Sequence, residues 1–209
     1  MGVSVTVLFW CCLASIAAAT SSEVTCGSVL KLIHETTSFR LHSHDLPYGS
    51  GSQQQSVTGF PKGDDTNSYW IVRGTLDAPC KQGAAIVRSQ QLRLQHAPTR
   101  RWLHSHLHQS PLSQNQEVSA FGGDDESDTG DVWTIEWDSR NKSWERDTKV
   151  RFKHVDTGAF LLSHNRKYSN PIHGQQEVCA KKDKGKGSLW TAAEGIYFSE
   201  PSPPEHDEL

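Results

Sequence analysis

The sequence predicts an all-β protein in which one structural unit occurs three times. A short motif that ends in His, with alternating apolar and mostly polar residues, recurs about every 60 residues. Between these motifs, β-branched and aromatic residues alternate with period two and are bounded by clusters of Gly, Asn, Asp and Pro, which is typical of short strands and turns. No segment has the apolar spacing of an amphipathic helix, so a helical domain is not expected.

Each unit contains four landmarks in the same order, and each landmark predicts one strand. The first strand ends at the shared His, the second contains Leu-x-Ser-His, the third contains Gln-x-Val and the fourth begins at a Trp. The landmarks lie at 30–34, 41–44, 55–57 and 70, at 92–96, 103–106, 116–118 and 133, and at 150–154, 161–164, 176–178 and 190. Units too polar to bury a face alone are expected to close into one barrel with pseudo-threefold symmetry, a β-trefoil.

We expect one domain made of repeats at 25–77, 80–140 and 146–199. Its core is expected to contain five positions of the first repeat and their counterparts in the other two: Leu30, Leu32, Leu41, Val57 and Trp70.

Composition excludes several classes of function. The chain has 21 Lys and Arg against 24 Asp and Glu, a net charge of −3, which argues against a basic nucleic-acid or membrane-surface binder. The sequence lacks a phosphate-binding loop, a Gly-x-Ser-x-Gly motif and a Gly-x-Gly-x-x-Gly motif. We therefore expect no nucleic-acid partner and no hydrolase activity.

Both ends of the sequence indicate the lumen of the endoplasmic reticulum. Residues 1–19 are largely apolar and end in three alanines, which predicts a cleaved secretory signal with no membrane span afterwards; an uncleaved anchor is the alternative. The last four residues form an endoplasmic-reticulum retrieval signal: His206, Asp207, Glu208 and Leu209. They follow a proline-rich stretch at 201–205, and 200–209 is expected to be a flexible tail.

The mature chain retains three cysteines, so at least one lacks an intrachain partner. Cys26 and Cys80 each precede an apolar stretch that opens a repeat, and we prefer a disulfide between them. There is no Cys-x-x-Cys pair, so neither a zinc knuckle nor a thioredoxin-type redox centre is expected. Asn141 stands in an Asn-x-Ser sequon and is a candidate for N-glycosylation.

Histidines and paired carboxylates are the candidates for chemistry. Three alternating histidines would share one strand face: His104, His106 and His108. No Cys or carboxylate follows them at ligand spacing, and the third unit has Leu162 where the others have His, so we expect no metal or other cofactor. The histidines that end the first strands are expected to bond turn backbone: His34, His96 and His154.

Pairs of aspartates precede the fourth strands of the first two units: Asp64, Asp65, Asp124 and Asp125. They lack the spacing of an EF-hand, and the third unit carries lysines in this region, so we expect turn formers with solvated charge. They are our candidates for binding a basic patch on a partner.

The Leu-His-Ser-His and Gln-Glu-Val elements at these spacings resemble the MIR family, a trefoil module shared by protein O-mannosyltransferases, inositol-trisphosphate receptors and ryanodine receptors. Together with the signal and the C-terminal His-Asp-Glu-Leu, three such units resemble a narrower group, the stromal cell-derived factor 2-like proteins of the endoplasmic reticulum. The resemblance extends over nearly the whole mature chain.

This resemblance implies a non-catalytic subunit that associates with a lumenal J-domain co-chaperone and, through it, with the chaperone BiP during folding and quality control. Misfolded clients or glycans would be further partners. Two alternatives remain, a glycan-binding trefoil lectin and a metal-dependent enzyme. Exposed aromatic residues in equivalent loop pockets would favour the lectin, whereas an exposed apolar patch would favour the adaptor.

Overall fold

The computed structural model describes residues 23–199, which form twelve β-strands. The strands are β1 Val29–His34, β2 Arg40–Pro47, β3 Gln55–Phe60, β4 Trp70–Arg73, β5 Gln91–His96, β6 Trp102–Gln109, β7 Gln116–Phe121, β8 Trp133–Trp137, β9 Val150–His154, β10 Phe160–Lys167, β11 Gln176–Lys181 and β12 Trp190–Ile196. Every strand contains the landmark that predicted it. Short 3-10 turns, which the sequence analysis did not predict, precede the fourth strands at Thr66–Ser68, Thr129–Asp131 and Lys186–Ser188.

Six strands close into a barrel. β1 pairs with β4 and β12, β5 pairs with β4 and β8, and β9 pairs with β8 and β12, all antiparallel. The other six form the hairpins β2–β3, β6–β7 and β10–β11, whose inner strands β3, β7 and β11 pair with one another in a triangle. This is a β-trefoil, and the predicted fold class is confirmed.

The repeated core positions meet inside the barrel and are fully buried. In the three repeats they are Leu30, Leu32, Leu41, Val57 and Trp70; Leu92, Leu94, Leu103, Val118 and Trp133; and Val150, Phe152, Leu161, Val178 and Trp190. Each fourth-strand Trp also donates its indole N–H to the backbone carbonyl of the second-strand Leu of its own repeat, at 3.0, 2.8 and 3.1 Å. These bonds satisfy the buried donors, so the Trp residues pack the core without an unpaired polar atom.

The turn after each first strand requires a left-handed residue. Gly158 adopts a φ of 67° in the third repeat, whereas Ser38 and Arg100 adopt 61° and 62° at the equivalent positions. A side chain at positive φ is strained and glycine is not. The first two repeats therefore hold strain that the third avoids.

Within residues 23–199, no helix has the length and apolar character that a membrane crossing requires. The predicted secretory signal and the retrieval tetrapeptide lie outside the described residues.

Candidate functional site

Each repeat places a buried histidine at the end of its first strand. His96 donates its Nε2 proton to the carbonyl oxygen of Asn67 at 2.9 Å, and its Nδ1 accepts a proton from Thr99 Oγ1 at 2.8 Å. Its ring packs against Trp70, with 5.0 Å between the centroids. The equivalent carbonyl contacts are His34 to Gly187 at 2.8 Å and His154 to Gly130 at 2.9 Å. Each histidine thus joins its own repeat to a neighbouring one: the second to the first, the third to the second, and the first to the third.

Burial lowers the pKa of all three histidines, because an imidazolium inside the protein loses its hydration. The pKa of His96 falls to about 4. These rings are therefore neutral at pH 7, with the proton on the nitrogen that faces the carbonyl. They have the backbone-bonding role that the sequence predicted for them.

The first two repeats contain a His–Asp pair beside the second strand. His42 Nδ1 lies 2.8 Å from Asp65 Oδ2, and His104 Nδ1 lies 3.0 Å from Asp131 Oδ1. In the third repeat Leu162 occupies the histidine position. Asp65 is thus the partner of a buried imidazole, unlike the solvated turn residue we expected. Asp131, which is fully buried, was not singled out from the sequence.

The environment of the first pair favours neutral histidine and ionised carboxylate. Burial lowers the pKa of His42 despite the nearby Asp65. Burial alone would raise the pKa of Asp65, but hydrogen bonds from Ser68 and His42 outweigh it and hold the pKa below its usual value.

Two fully buried glutamates anchor hairpin loops. Glu177 of β11 accepts backbone protons from Leu112 at 2.7 Å and Ser113 at 3.3 Å, and lies 2.9 Å from His164 Nε2. Glu117 of β7 makes the equivalent contacts with the Ser52 backbone and hydroxyl and with His106 Nε2. Each glutamate ties the loop of the preceding repeat to its own hairpin. The Gln-Glu-Val motif served as a landmark in the sequence, but this role of its glutamate was missed.

Two groups bring three potential metal ligands within 4.8 Å of one another, namely His104 with Asp128 and Asp131, and His164 with Glu177 and Cys179. In both groups the histidine faces a carboxylate at hydrogen-bonding distance, so a cation would have to displace that contact. Burial raises the pKa of the Cys179 thiol to about 11, whereas a metal ligand must be a thiolate. The geometry is that of hydrogen-bonded pairs, and the expectation of no metal cofactor stays a prediction.

The four predicted partner-binding aspartates have different surroundings. Asp64 and Asp125 are exposed, while Asp65 is held by His42. Asp124 accepts from Arg100 at 2.8 Å and from the Gln95 amide at 2.8 Å, and these bonds lower its pKa. Two of the four thus carry uncompensated surface charge. Their role in binding remains a prediction.

The structure links Cys26 to Cys80 by a disulfide with Cα atoms 6.1 Å apart, which ties the segment before β1 to the β4–β5 connection. Cys179 is buried and free. The Asn141 side chain is half-buried and donates its amide to Thr148 Oγ1 at 3.0 Å. Glycosylation of Asn141 remains a prediction.

Three of the large exposed apolar side chains line two adjoining clefts. Five large ones are exposed within the described part of the chain: Leu76, Val87, Leu107, Val155 and Ile196. Leu76 and Val155 line a cleft of about 550 Å³, and Leu107 lines another of about 510 Å³. Three residues line both clefts, which therefore adjoin: Asp128, Thr129 and Asp156.

Comparison with known proteins agrees with this architecture. A family profile for the MIR domain matches residues 40–192. The stromal cell-derived factor 2-like protein of Arabidopsis thaliana is 54% identical over 176 residues, covering 84% of this chain and 81% of the relative. This chain belongs to the stromal cell-derived factor 2-like family of MIR-domain proteins.

Other relatives extend the family match. Human stromal cell-derived factor 2-like protein 1 is 48% identical over 196 residues, covering 92% of this chain and 88% of the relative. The crystal structure of the SDF2-like protein from Arabidopsis thaliana superimposes with a TM-score of 0.83 at 54% identity, covering 85% of this chain and 98% of that one. The family resemblance predicted from the repeats is confirmed.

An alignment of the three repeats with one another could have indicated an exposed apolar residue of the clefts. Leu107 stands where the other repeats carry Asp45 and Asn165, three residues after the second-strand His or Leu. An apolar residue at a position that is polar in a sister repeat indicates a surface feature of one repeat alone.

Proposed function

We propose that this protein is a non-catalytic adaptor of the endoplasmic-reticulum lumen that acts with a lumenal J-domain co-chaperone and, through it, with a BiP-type chaperone in protein folding and quality control. The secretory signal at 1–19 and the retrieval tetrapeptide at 206–209 support the location. Membership of the stromal cell-derived factor 2-like family supports the choice of partners.

The observation that carries the proposal is that polar side chains shared by all three repeats are engaged inside the scaffold. The second-strand serines donate their hydroxyls to carbonyls across their hairpins: Ser43 to Ser56 at 2.8 Å, Ser105 to Glu117 at 2.9 Å and Ser163 to Glu177 at 2.9 Å. A nucleophile instead needs a base to take its proton and an open approach to substrate. The serines shared by the three repeats thus have a structural role. The repeats differ in their surface residues, and surface residues determine which partner binds.

The lectin alternative has less support from the structure. All six tryptophans between residues 23 and 199 are at most 5% exposed, so none of them presents a ring for stacking on a sugar. The exposed apolar side chains are aliphatic instead. An aliphatic patch suits a protein partner better than a glycan.

Binding to a purified lumenal J-domain co-chaperone tests the proposal. We expect the mature chain to form a complex in isothermal titration calorimetry and to increase the ability of the co-chaperone and chaperone to keep a reduced, denatured client soluble. A chain that lacks residues 206–209 is the matched control and should bind equally well. Absence of a complex at tens of micromolar, or turnover of a glycan or peptide detected by mass spectrometry, would contradict the proposal.

A further inference from the structure

The two adjoining clefts combine apolar side chains with negative charge. Leu76 is 67% exposed and Val155 40% exposed, although burial of such side chains is favourable. The same cleft is lined by three exposed carboxylates: Asp77, Asp128 and Asp156. We call this surface, formed by residues 75–78, 127–129 and 155–156 with Leu107 in the adjoining cleft, the acidic–apolar cleft.

The basic residue that lines the Leu76 cleft offsets only part of this charge. Arg93 lines the Leu76 cleft but is only 7% exposed. Its Nε donates to the Gly74 carbonyl at 3.0 Å, and its guanidinium lies over the Trp102 ring at 4.0 Å. Lys182 lines the Leu107 cleft. The excess of negative charge therefore lies around Leu76 and Val155.

The rim of the cleft is already ordered. Thr129 Oγ1 donates to Asp156 Oδ2 at 2.7 Å, which joins the turn before β8 to the turn after β9. The Asp128 carboxylate accepts the backbone N–H of Gly130 at 2.8 Å, and the backbone N–H of Asp128 donates to the Asp131 carboxylate at 2.9 Å. A rigid rim lowers the entropic cost of binding, because the cleft itself need not be ordered when a partner binds.

We propose that the acidic–apolar cleft binds a segment of a partner protein in which a large apolar side chain is flanked by lysine or arginine. The inference rests on the proposed adaptor function and identifies its docking surface and the chemistry of the partner. The apolar side chain covers Leu76 and Val155, while the flanking cations pair with Asp77 and Asp156. Charge complementarity selects this occupant over an acidic or purely apolar segment.

A labelled peptide of alternating leucine and lysine is the first probe, measured by fluorescence anisotropy. Leu76→Ser combined with Asp77→Lys should weaken its binding roughly tenfold or more. Val87→Ser combined with Asp45→Lys is the matched control, because it removes an exposed apolar side chain and a carboxylate outside the cleft; it should change binding less than twofold. Peptides with lysine replaced by glutamate, or leucine by serine, should bind much more weakly. Far-UV circular dichroism verifies that both variants are folded.

Equal weakening by the two double variants would overturn the inference, since it would reveal general electrostatic attraction. Absence of peptide binding to the wild-type chain would overturn it as well. Sedimentation velocity tests for self-association of the wild-type chain and the two variants. If the wild-type chain forms a dimer that only the cleft variant dissociates, the cleft binds a second copy of this chain, which would overturn the inference.

Photocrosslinking separates this inference from the proposed function. A benzoylphenylalanine at position 76 should crosslink to the purified J-domain co-chaperone, and one at position 87 should not. A complex that crosslinks only from position 87 would reject the cleft and leave the adaptor function standing. Cleft-dependent peptide binding without any co-chaperone complex would support the cleft and reject the adaptor function.

Discussion

The Nε2 atom of His96 lies 2.9 Å from the carbonyl oxygen of Asn67, and this bond joins the second repeat to the first. The ring is fully buried, and burial favours the neutral imidazole, which makes this bond with its proton on Nε2. Protonation of His96 is therefore coupled to unfolding, which returns the ring to water.

Acidification should destabilise the fold between about pH 6.5 and 4. The pKa of His96 is 6.5 in the unfolded reference and about 4 in the folded protein. Between these values the unfolded chain binds a proton that the folded chain does not, so the free energy of unfolding decreases as pH falls, by roughly 3 kcal/mol for His96. Below pH 4 both states are protonated and this loss ends.

Urea unfolding at several pH values checks the coupling, with His96→Gln as the comparison. The variant should lose part of the slope over this pH window while keeping the loss that carboxylates cause at lower pH. Parallel pH profiles for the two proteins would count against the assignment.

Trp133→Ala should destabilise the protein by roughly 3–5 kcal/mol, the usual range for deleting a core aromatic. Trp133 is fully buried, and its indole donates to Leu103 O at 2.8 Å. Trp133→Phe retains most of the volume and should cost less. Chemical denaturation monitored by circular dichroism measures both, and a loss below 1 kcal/mol for the alanine variant would refute this role of Trp133.

Ser38→Gly should stabilise the fold by up to about 1 kcal/mol, because it relieves a φ of 61° at an exposed position. Gly158→Ala should do the opposite at the equivalent turn, where φ is 67°. Thermal unfolding measures both changes. Ser38→Ala is the control and should leave the strain in place, so equal melting temperatures for Ser38→Gly and Ser38→Ala would contradict the explanation.

Deletion of residues 206–209 should release the protein into the secretory pathway, because the tetrapeptide is read as a retrieval signal at a free C-terminus. Immunoblots of cells and medium measure the release. Retention of the truncated protein in a fraction that requires detergent would point to an uncleaved N-terminal anchor, and retention in a detergent-free extract to a complex.

Charge reversal should distinguish aspartates that contribute to partner binding from one that contributes to stability. Asp64→Lys with Asp125→Lys should leave the fold intact and weaken the co-chaperone complex and its salt dependence, since both carboxylates are exposed. Asp65→Lys should instead lower stability, because it removes the partner of His42. Calorimetry and denaturation test the two effects, and unchanged affinity in the first variant would remove these carboxylates from the interface.

The strands, the threefold repeat and the core could be predicted from the sequence because they depend on local patterns. Period-two alternation determines which side chains point inward, and repetition of Leu30, Val57 and Trp70 at equal spacing requires equivalent places in a symmetric barrel. The bonding of His34, His96 and His154 to backbone could also be anticipated, because a buried polar group at a turn needs a nearby partner.

Only the tertiary structure decided which residues from distant strands meet. Asp65 reaches His42 across 23 residues of sequence, and Glu177 reaches Leu112 across 65, so neither partner is visible from neighbouring residues. Leu76, Leu107 and Val155 lie in three different repeats and share a surface only because the closed barrel brings these segments together. Local alternation assigns a side chain to a face of its strand, but packing between repeats determines what that face meets.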